Sequence, residues 1–483
     1  MNTHLNFIGN RWIASQSGKL FDNENPAHKG TMLARFQASS AEDILAAVNG
    51  AAQGFQTWKQ VPLAERQAKV RRFLELLGAA REELARIVTE ENGKTLGEAR
   101  GEVDSALVEG NYHLHQVSAL TGHTLPLGDG DITGWVQYEP LGVIGIISPW
   151  NYPVNVMCRK TLPALLTGNT VVFKPASFTP WSGVFMAGLF ERAGFPSGVF
   201  NCVTGPGSAL GNALIDDARV RAVSFTGSTE VGKKIQARAV QNLTRTQLEL
   251  GGKNALIVMA DADQPLALDA IMRAGFGCAG QWCTSTSRVL IQRSIYRSFA
   301  DQLTAKAEQV VLGDPLDEKT GMGPVAGPDQ YANIGRAIDL ARQEGARMAT
   351  GGRLTGTLGD QGYFIRPTIF LDVTPAMTLF REEVFGPVLA LTPFNTLDEA
   401  LRLANDSPYG LSSGIFTKDL AAARRYIREV RTGMVHVNIH TGFKDPSLPF
   451  GGWKESGFGL PENSRTGLEF FLDRKAVYLR GLA

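Results

Sequence analysis

The sequence has little cysteine, no excess charge and no long apolar run, and each absence excludes a class of protein. Four cysteines in 483 residues cannot form the disulfide framework of a small secreted domain. The 48 Lys and Arg nearly balance 47 Asp and Glu, which excludes a polybasic nucleic-acid binder. No apolar run reaches the roughly 18 residues of a transmembrane helix. The start, MNTHLNFIGNRW, lacks the basic and apolar segments of a signal peptide.

We therefore expect a protein of the reducing cytoplasm that has neither nucleic acid nor a membrane as a partner. The seven histidines do not have the spacing of metal ligands, so no metal site is expected. The 53 glycines exceed the usual share of roughly 7%. They have no period, and we interpret them as turns and close backbone approaches.

The organisation along the chain is typical of an α/β protein. Residues 40–118 have helical periodicity, and short apolar runs then alternate with helical segments, which indicates parallel sheets. The predicted strands are 7–12, 143–147, 170–173, 199–203, 221–225, 255–259, 288–292, 364–370, 388–393 and 411–416. The boundary between two α/β halves falls near residue 248. Segments 134–138 and 475–479 also have strand character but belong to neither half.

Cys283 is the strongest candidate nucleophile. It lies in GCAGQWCTSTSRV, where glycines and small hydroxyl residues leave a thiol within reach of a substrate. The alternative, a buried cysteine that packs as a small apolar group, is favoured for Cys158, Cys202 and Cys278. No histidine lies near Cys283 in sequence, which disfavours a Cys–His hydrolase.

Two further side chains are candidates for the same chemistry. Glu249, in QLELGGKN, ends a strand beside two glycines and can serve as a base, or it is an ordinary solvated glutamate. Asn151, in ISPWNYP, follows a strand between two prolines. Its amide can donate to a developing oxyanion or simply close an Asx turn.

Two glycine-rich turns follow strands and are candidates for phosphate binding. The first, GPGSALG (205–211), is an imperfect dinucleotide fingerprint. The second, FTGSTEVG (225–232), opens a helix whose free N–H groups, with the Ser228 hydroxyl, suit a pyrophosphate. Either turn can instead be loop packing without a ligand.

Taken together, seven segments resemble the aldehyde dehydrogenase superfamily in order and spacing, over nearly the whole chain. They are SPWNYP (148–153), Lys174–Pro175, FTGSTEVG (225–232), LELGGKN (248–254), GQWCTSTSR (280–288), EEVFGPV (382–388) and PFGGWKESGFG (449–459). The resemblance implies a Rossmann-type NAD(P)-binding domain at 1–120 and 140–248 and an α/β catalytic domain at 249–448. It also implies a small β extension at 121–139 and 449–483, whose strands add to a neighbouring subunit in a homodimer or homotetramer.

The resemblance also assigns roles to individual residues. Cys283 attacks the aldehyde, Asn151 and the Cys283 N–H hold the oxyanion, and Glu249 activates the water that hydrolyses a thioester. The residues implied in binding NAD or NADP are Ser148, Trp150, Asn151, Lys174, Ala176, Ser177, Gly207, Gly227, Ser228, Leu250, Glu383 and Phe385. In NAD-specific relatives an acid commonly occupies the position of Ser177, so we expect use of both cofactors. The presence of Glu249 favours the hydrolytic branch; a coenzyme A-acylating enzyme and a structural protein on this fold are the minor alternatives.

The substrate residues implied by the resemblance are Tyr152, Arg159, Trp282, Lys444 and Phe450. Arg159 resembles the arginine with which succinate semialdehyde dehydrogenases grip a distal carboxylate, but the second arginine of that pattern is Gly277 here, and Lys444 is a candidate substitute. The segment FGCAGQWCTSTSRV is similar to ketoglutarate semialdehyde enzymes. We therefore expect an ω-carboxy semialdehyde. The alternatives are that Arg159 pairs with a nearby acid, and that Tyr152 and Trp282 accept a neutral aromatic or aliphatic aldehyde.

Overall fold

The computed structural model of the protein describes residues 2–128 and 131–480. In those residues the α-helices, numbered α1 to α16 along the chain, are Ala41–Trp58, Leu63–Ala79, Arg81–Asn92, Leu96–Gln116, Asn155–Leu166, Pro180–Arg192, Gly207–Asp216, Thr229–Ala239, Gln264–Phe276, Tyr296–Glu308, Pro328–Gln343, Thr357–Gln361, Thr378–Arg381, Leu397–Asn405, Leu420–Glu429 and Ser464–Glu469. Short 3-10 helices cover Val117–Ala119, Val240–Asn242 and Gly277–Gly280. None of the helices in these two ranges is long and apolar enough to cross a bilayer.

The strands, numbered β1 to β22 on the same principle, are Asn6–Ile8, Arg11–Ile13, Leu20–Glu24, Met32–Gln37, Thr124–Leu125, Ile132–Pro140, Val143–Ile147, Thr170–Lys174, Phe200–Cys202, Val220–Thr226, Arg245–Glu249, Asn254–Val258, Thr286–Gln292, Arg347–Arg353, Ile365–Leu371, Val388–Phe394, Tyr409–Gly410, Ser412–Phe416, Met434–Val437, Trp453–Lys454, Gly457–Phe458 and Leu472–Arg480. They form two large sheets and three small ones.

The first large sheet has eight strands in the order β2-β1-β9-β8-β7-β10-β11-β21. Its five central strands, in the order β9-β8-β7-β10-β11, run parallel. Strands β7 and β8 are buried along their whole length, as expected for parallel strands covered by helices on both faces. Helices α1 and α7 pack on one another and α2, α4, α5 and α6 form a second group, so this sheet has two apolar cores.

The second large sheet has seven strands in the order β14-β15-β16-β13-β12-β18-β19. All neighbours are parallel except β14, which pairs antiparallel with β15 at one edge. A single apolar core joins its strands to the helices around it. The two α/β sheets confirm the predicted fold class.

A separate three-stranded sheet, β5-β6-β22, lies outside both large sheets. Its two long strands pair antiparallel over nine residues, from Leu472 opposite Pro140 to Arg480 opposite Ile132. Leu125, Tyr478 and Leu479 expose apolar surface on it, with Tyr478 72% exposed. The segments 134–138 and 475–479, which the sequence placed outside the two halves, are its central parts.

The opening strand predicted over residues 7–12 is wrong in one respect, because the structure has a hairpin there. Strands β1 and β2 pair antiparallel, with Phe7 opposite Trp12. Gly9 and Asn10 form the turn with φ of 58° and 59°, the left-handed pair that a two-residue hairpin requires. The Gly–Asn step inside an apolar run was the signal for this turn.

Arg288 ties the second sheet to its surroundings and gives a test of the fold. Its buried guanidinium donates to the carbonyl oxygens of Lys253, Leu403 and Ala404, each at 2.9 Å. Replacing Arg288 with Met leaves these buried acceptors unpaired, at about 1–3 kcal/mol each. We expect urea unfolding to show a loss of about 3 kcal/mol or more.

The matched control is Arg293→Met, because Arg293 is exposed and its Nε donates to Asn395 on the surface. We expect that variant to stay within about 0.5 kcal/mol of the wild type. Equal stability of the two variants would contradict the role given to Arg288.

Candidate active site

A cavity of about 610 Å³ lies where the parallel strands of the first sheet end. Segments that follow β7, β8, β10 and β11 form one wall, and the turn before β13 faces them. A crevice at the carboxyl ends of parallel strands is the usual ligand site of open α/β sheets. The predicted residues that line it are Ser148, Trp150, Asn151, Tyr152, Arg159, Lys174, Ala176, Ser177, Gly207, Gly227, Ser228, Leu250, Trp282, Cys283, Glu383, Phe385, Lys444 and Phe450.

Cys283 is presented to this cavity by an unusual backbone. Cys278, Ala279 and Gly280 all have positive φ, between 50° and 69°, and a Cβ on Gly280 would stand 2.2 Å from the Gly386 carbonyl oxygen. Only glycine fits that close approach. Cys283 is partly exposed as a residue, whereas Cys158, Cys202 and Cys278 are buried.

The LELGGKN segment holds the Cys283 turn in place from the opposite side. The Asn254 side chain donates to the carbonyl oxygens of Cys283 and Ser285, both at 2.8 Å. Gly252 makes this possible, because a Cβ there would stand 2.9 Å from the Cys283 carbonyl oxygen. The close approach of the Cys283 carbonyl is therefore the structural reason for a glycine at position 252, and the sequence alone did not identify this partner.

The Asn151 loop is positioned by Lys94, between α3 and α4, and by Glu102 of α4, both of which the sequence analysis missed. Lys94 donates to the Asn151 carbonyl at 2.6 Å and pairs with Glu102 at 2.5 Å. Glu102 in turn accepts from the Val154 and Asn155 N–H groups at 2.8 and 3.1 Å. The ENGKT motif between the two helices was the available signal. The Asn151 amide donates to the Gln281 carbonyl at 2.7 Å, which joins the two loops.

Glu249 does not line the cavity but lies buried behind it, at the end of β11. Its Oε2 has no hydrogen-bond partner among the described residues, and its Oε1 is 3.0 Å from where a Cβ on Gly451 would stand. Burial, and then the charge of Glu462, raises the pKa of Glu249 well above its usual value. The carboxyl therefore holds a proton more strongly than an exposed glutamate does.

One end of the cavity has the groups that a dinucleotide needs. Ser148 Oγ and Thr226 Oγ1 are buried without partners among the described residues. Ser228 caps the N-terminus of α8, and Trp150 packs edge-on against Phe385 with ring centroids 5.4 Å apart. Burial lowers the pKa of Lys174 to about 8 and raises that of Glu383 to about 7.

The other end has a cluster of buried charges that we call the Glu109 cluster, made of Glu109, Asn155, Arg159, Lys444 and Glu462. Arg159 donates to both oxygens of Glu109, at 2.8 and 3.0 Å, and to Glu462 at 3.4 Å. Although burial opposes ionisation, the charges of Arg159 and Lys444 lower the pKa of Glu109 to about 2. The sequence left open whether Arg159 pairs with an acid, and in the structure it does, while still lining the cavity.

Aromatic rings complete this end. Trp282 meets Tyr152 edge-on with ring centroids 6.3 Å apart, and Phe450 lies under the Arg159 guanidinium at 4.4 Å. Gly277 makes room for Trp282, whose Cζ2 is 2.8 Å from the position of a Cβ on Gly277. A second arginine at that position would displace the indole. Sequence analysis found neither Glu109 nor Glu462, because no local pattern links residues separated by 50 and 303 positions from Arg159.

Comparison with known proteins agrees with this geometry. The aldehyde dehydrogenase family model matches residues 12–477. The chain is 40% identical to the alpha-ketoglutaric semialdehyde dehydrogenase of Bacillus subtilis, over 99% of this chain and 98% of that protein. It is 38% identical to the 2,5-dioxopentanoate dehydrogenase of Saccharolobus solfataricus, over 98% of each.

A solved structure is similar over the same extent. The NAD-dependent aldehyde dehydrogenase of Sinorhizobium meliloti superimposes with a TM-score of 0.97 at 36% identity, covering 99% of this chain and 95% of that one. A cysteine-bearing crevice between two α/β sheets thus defines an oxidoreductase that acts on aldehydes. The chain belongs to the aldehyde dehydrogenase family.

The exposure and pKa of Cys283 give a labelling test. Burial, followed by the negative charge of Glu383, raises the pKa of the Cys283 thiol to about 12. Since only the thiolate reacts, we expect iodoacetamide to label this site about tenfold faster per pH unit between about pH 7 and 10. Mass spectrometry locates the label, and the Cys283→Ala variant is the control. A rate that levels off below about pH 8 would contradict the raised pKa.

Proposed function

We propose that this aldehyde dehydrogenase oxidises an ω-carboxy semialdehyde to the dicarboxylic acid, with NAD⁺ or NADP⁺ as the oxidant. The observation that carries the proposal is the cationic end of the Cys283 cavity. The relatives named for alpha-ketoglutaric semialdehyde and 2,5-dioxopentanoate, two names of one 2-oxo acid aldehyde, support the same class.

The formal charges around that end leave room for one anion. Arg159, Lys160 and Lys444 carry three positive charges, and Glu109 and Glu462 carry two negative ones in contact with them. Glu249 lies behind this group, and its Oε2 has no hydrogen-bond partner among the described residues. A substrate carboxylate would balance the remaining positive charge, at a place sheltered from water where such a contact is strong.

The reaction follows from Cys283 and Asn151, which line the cavity, and from Glu249 behind it. The Cys283 sulfur adds to the aldehyde carbon and forms a thiohemiacetal. The second N–H of the Asn151 amide and the Cys283 N–H stabilise its oxyanion. Once the thiohemiacetal has lost a hydride and become a thioester, Glu249 takes a proton from the water that hydrolyses it. This releases the carboxylic acid and regenerates the thiol.

The cofactor end fits a dinucleotide because its buried hydroxyls and the N-terminus of α8 face the cavity. Lys174, Ser177 and Ser228 would hold the adenosine and phosphate groups, and Glu383 the nicotinamide ribose. When bound, the cofactor would accept the hydride that the thiohemiacetal loses. Ser177 Oγ donates to the Gly205 carbonyl at 3.0 Å and brings no negative charge, so a 2′-phosphate meets no repulsion from this position.

We also propose the domain division and assembly expected from the sequence: cofactor domain 1–120 and 140–248, catalytic domain 249–448, extension 121–139 and 449–483. The exposed apolar side chains of the β5-β6-β22 sheet support a homodimer or homotetramer, because unpaired sheet edges favour pairing with another chain. The four free cysteines are in keeping with a cytoplasmic location.

A neutral aromatic or aliphatic aldehyde is the second candidate substrate. The rings of Tyr152, Trp282 and Phe450, which line the cavity beside Cys283, favour it. The two candidates differ in whether a distal negative charge helps binding.

The role of Glu249 gives the first prediction. In Glu249→Gln, thioester formation should persist while hydrolysis slows by about 10²-fold or more. Stopped-flow absorbance should then show a burst of about one reduced cofactor per subunit, followed by slow turnover. Cys283→Ala should show neither phase, and Cys278→Ala should keep most activity. A Glu249→Gln variant without a burst would contradict hydrolysis as the step this carboxyl serves.

The pocket around Ser177 gives the second prediction. We expect kcat/KM with NADP to lie within about 10³-fold of that with NAD, a difference of roughly 4 kcal/mol at most. Ser177→Glu should reduce NADP use by about tenfold or more through charge repulsion and leave NAD use largely intact. Ser177→Gln, which adds similar volume without charge, is the matched control. A larger preference for NAD in the wild type would contradict dual use.

The charge balance at the Glu109 cluster gives the third prediction. Succinate semialdehyde and butanal have the same chain length and differ in the terminal carboxylate. We expect kcat/KM to favour the semialdehyde by about ten- to hundredfold, the contribution of one charge-assisted hydrogen bond. Raising the salt concentration should reduce the preference. A wild type that prefers butanal would support the second candidate substrate.

A further inference from the structure

Three cationic side chains line the cavity, and they differ sharply in how far they are already engaged. Lys174 lies at the cofactor end, with its ammonium donating to the Pro175 carbonyl at 2.7 Å. Arg159 and Lys444 lie at the other end, with Tyr152 and Phe450. A substrate carboxylate at this end could therefore bind either Arg159 or Lys444.

Arg159 has little capacity left for a ligand. Beyond its two bonds to Glu109 and one to Glu462, it donates to Asn155 Oδ1 at 2.7 Å, so four of its five N–H groups have protein acceptors. Its side chain is 3% exposed, and one face is covered by Phe450. A carboxylate could bind it as a bidentate pair only by displacing one of these acceptors.

Lys444 is more open. Its side chain is 24% exposed, and its ammonium has three N–H groups, of which two donate to Glu109 Oε1 at 2.6 Å and Asn155 Oδ1 at 2.7 Å. The structure gives the third N–H no acceptor within the described residues. Lys444 comes from the 438–449 segment after β19, whereas Arg159 lies on α5.

We infer that Lys444 binds the distal carboxylate of the substrate, and that Arg159 is a positioning residue that holds Glu109 and Asn155 beneath the Lys444 ammonium. This inference rests on the proposed ω-carboxy semialdehyde. Two acceptors fix the ammonium and leave one N–H for the ligand, which gives a flexible side chain the preorganisation that it otherwise lacks.

The assignment has a consequence for substrate length. Glu109 and Asn155 are both buried, at 2% and 1% exposed, and they limit how far the ammonium can move. A semialdehyde must then place its aldehyde at Cys283 and its carboxylate at Lys444 together. Glyoxylate, whose carboxylate adjoins the aldehyde, should be a poor substrate for this reason.

The test compares Lys444→Met with Arg159→Lys. For Lys444→Met we expect kcat/KM with 2,5-dioxopentanoate and succinate semialdehyde to fall about ten- to hundredfold more than kcat/KM with butanal, mainly through KM. Binding of 2-oxoglutarate to the enzyme, measured by calorimetry, should weaken by a similar factor. Lys444→Arg should recover part of the loss.

Arg159→Lys keeps the charge and removes the fork geometry. If Arg159 acts on the carboxylate only through Lys444, this variant should lower the preference for semialdehyde over butanal less than Lys444→Met does, and should lower it no further when combined with Lys444→Met. Lys306→Met, on the exposed face of α10 and paired with Asp269, is the surface control. Melting temperatures confirm that each variant is folded.

Different results would overturn the proposed substrate class and the assignment of Lys444. A wild-type enzyme without preference for semialdehyde over butanal overturns the proposed substrate class. A wild type with that preference, kept within about threefold in Lys444→Met and lost in Arg159→Lys, overturns the assignment of Lys444 alone and makes Arg159 the anchor.

Discussion

The site depends on the close approach of two backbone segments, 250–254 and 280–285. A side chain at Gly252 would hold them apart, since a Cβ there would stand 2.9 Å from the Cys283 carbonyl, and a Cβ on Gly251 would stand 2.2 Å from Glu383 Oε2. Because both are glycines, Asn254 can bind the Cys283 turn, and Glu383 can accept from the Gly252 N–H at 2.9 Å. These two hydrogen bonds fix Cys283, the proposed nucleophile, relative to Glu383, which is proposed to hold the cofactor ribose.

The buried ion pairs around the cavity position its loops more than they stabilise the fold. A buried ion pair usually contributes little net stability, because the loss of hydration offsets the attraction, whereas removal of one partner is strongly destabilising. Lys94 with Glu102 and Arg159 with Glu109 are both almost fully buried. The first pair holds the Asn151 loop and the start of α5, and the second shapes the substrate end. Each carboxylate uses both oxygens, so each loop has one favourable position.

Much of the architecture could be predicted from the sequence, because parallel strands buried on both faces give continuous apolar runs. Strands β7, β13 and β16 begin and end within two residues of the predicted bounds. The hairpin at Gly9 and Asn10 was missed because residues 7–12 were interpreted as one strand across the Gly–Asn turn.

The candidate site was predictable to the extent that its residues follow strands or lie in motifs. Asn151 and Cys283 are of this kind, and their catalytic roles remain predictions. Glu109 was not predictable, since it lies on a helix of ordinary amphipathic pattern and acquires its partners only through tertiary packing. The sequence also could not show that Arg159 is already occupied, because that depends on donors and acceptors counted in three dimensions.

The bond between Lys160 and Glu462 has a consequence for how the protein is made. These two residues are 302 positions apart, and Lys160 is fully buried in the completed structure. At about 5–20 residues per second, synthesis of the intervening chain takes on the order of tens of seconds. During that time helix α5, which packs on the first sheet, carries Lys160 without its Glu462 partner, so the nascent protein gains by keeping this region hydrated. Completion of the active site is therefore a late, post-translational event, and a chain arrested before residue 462 would leave the ribosome with an unfinished core.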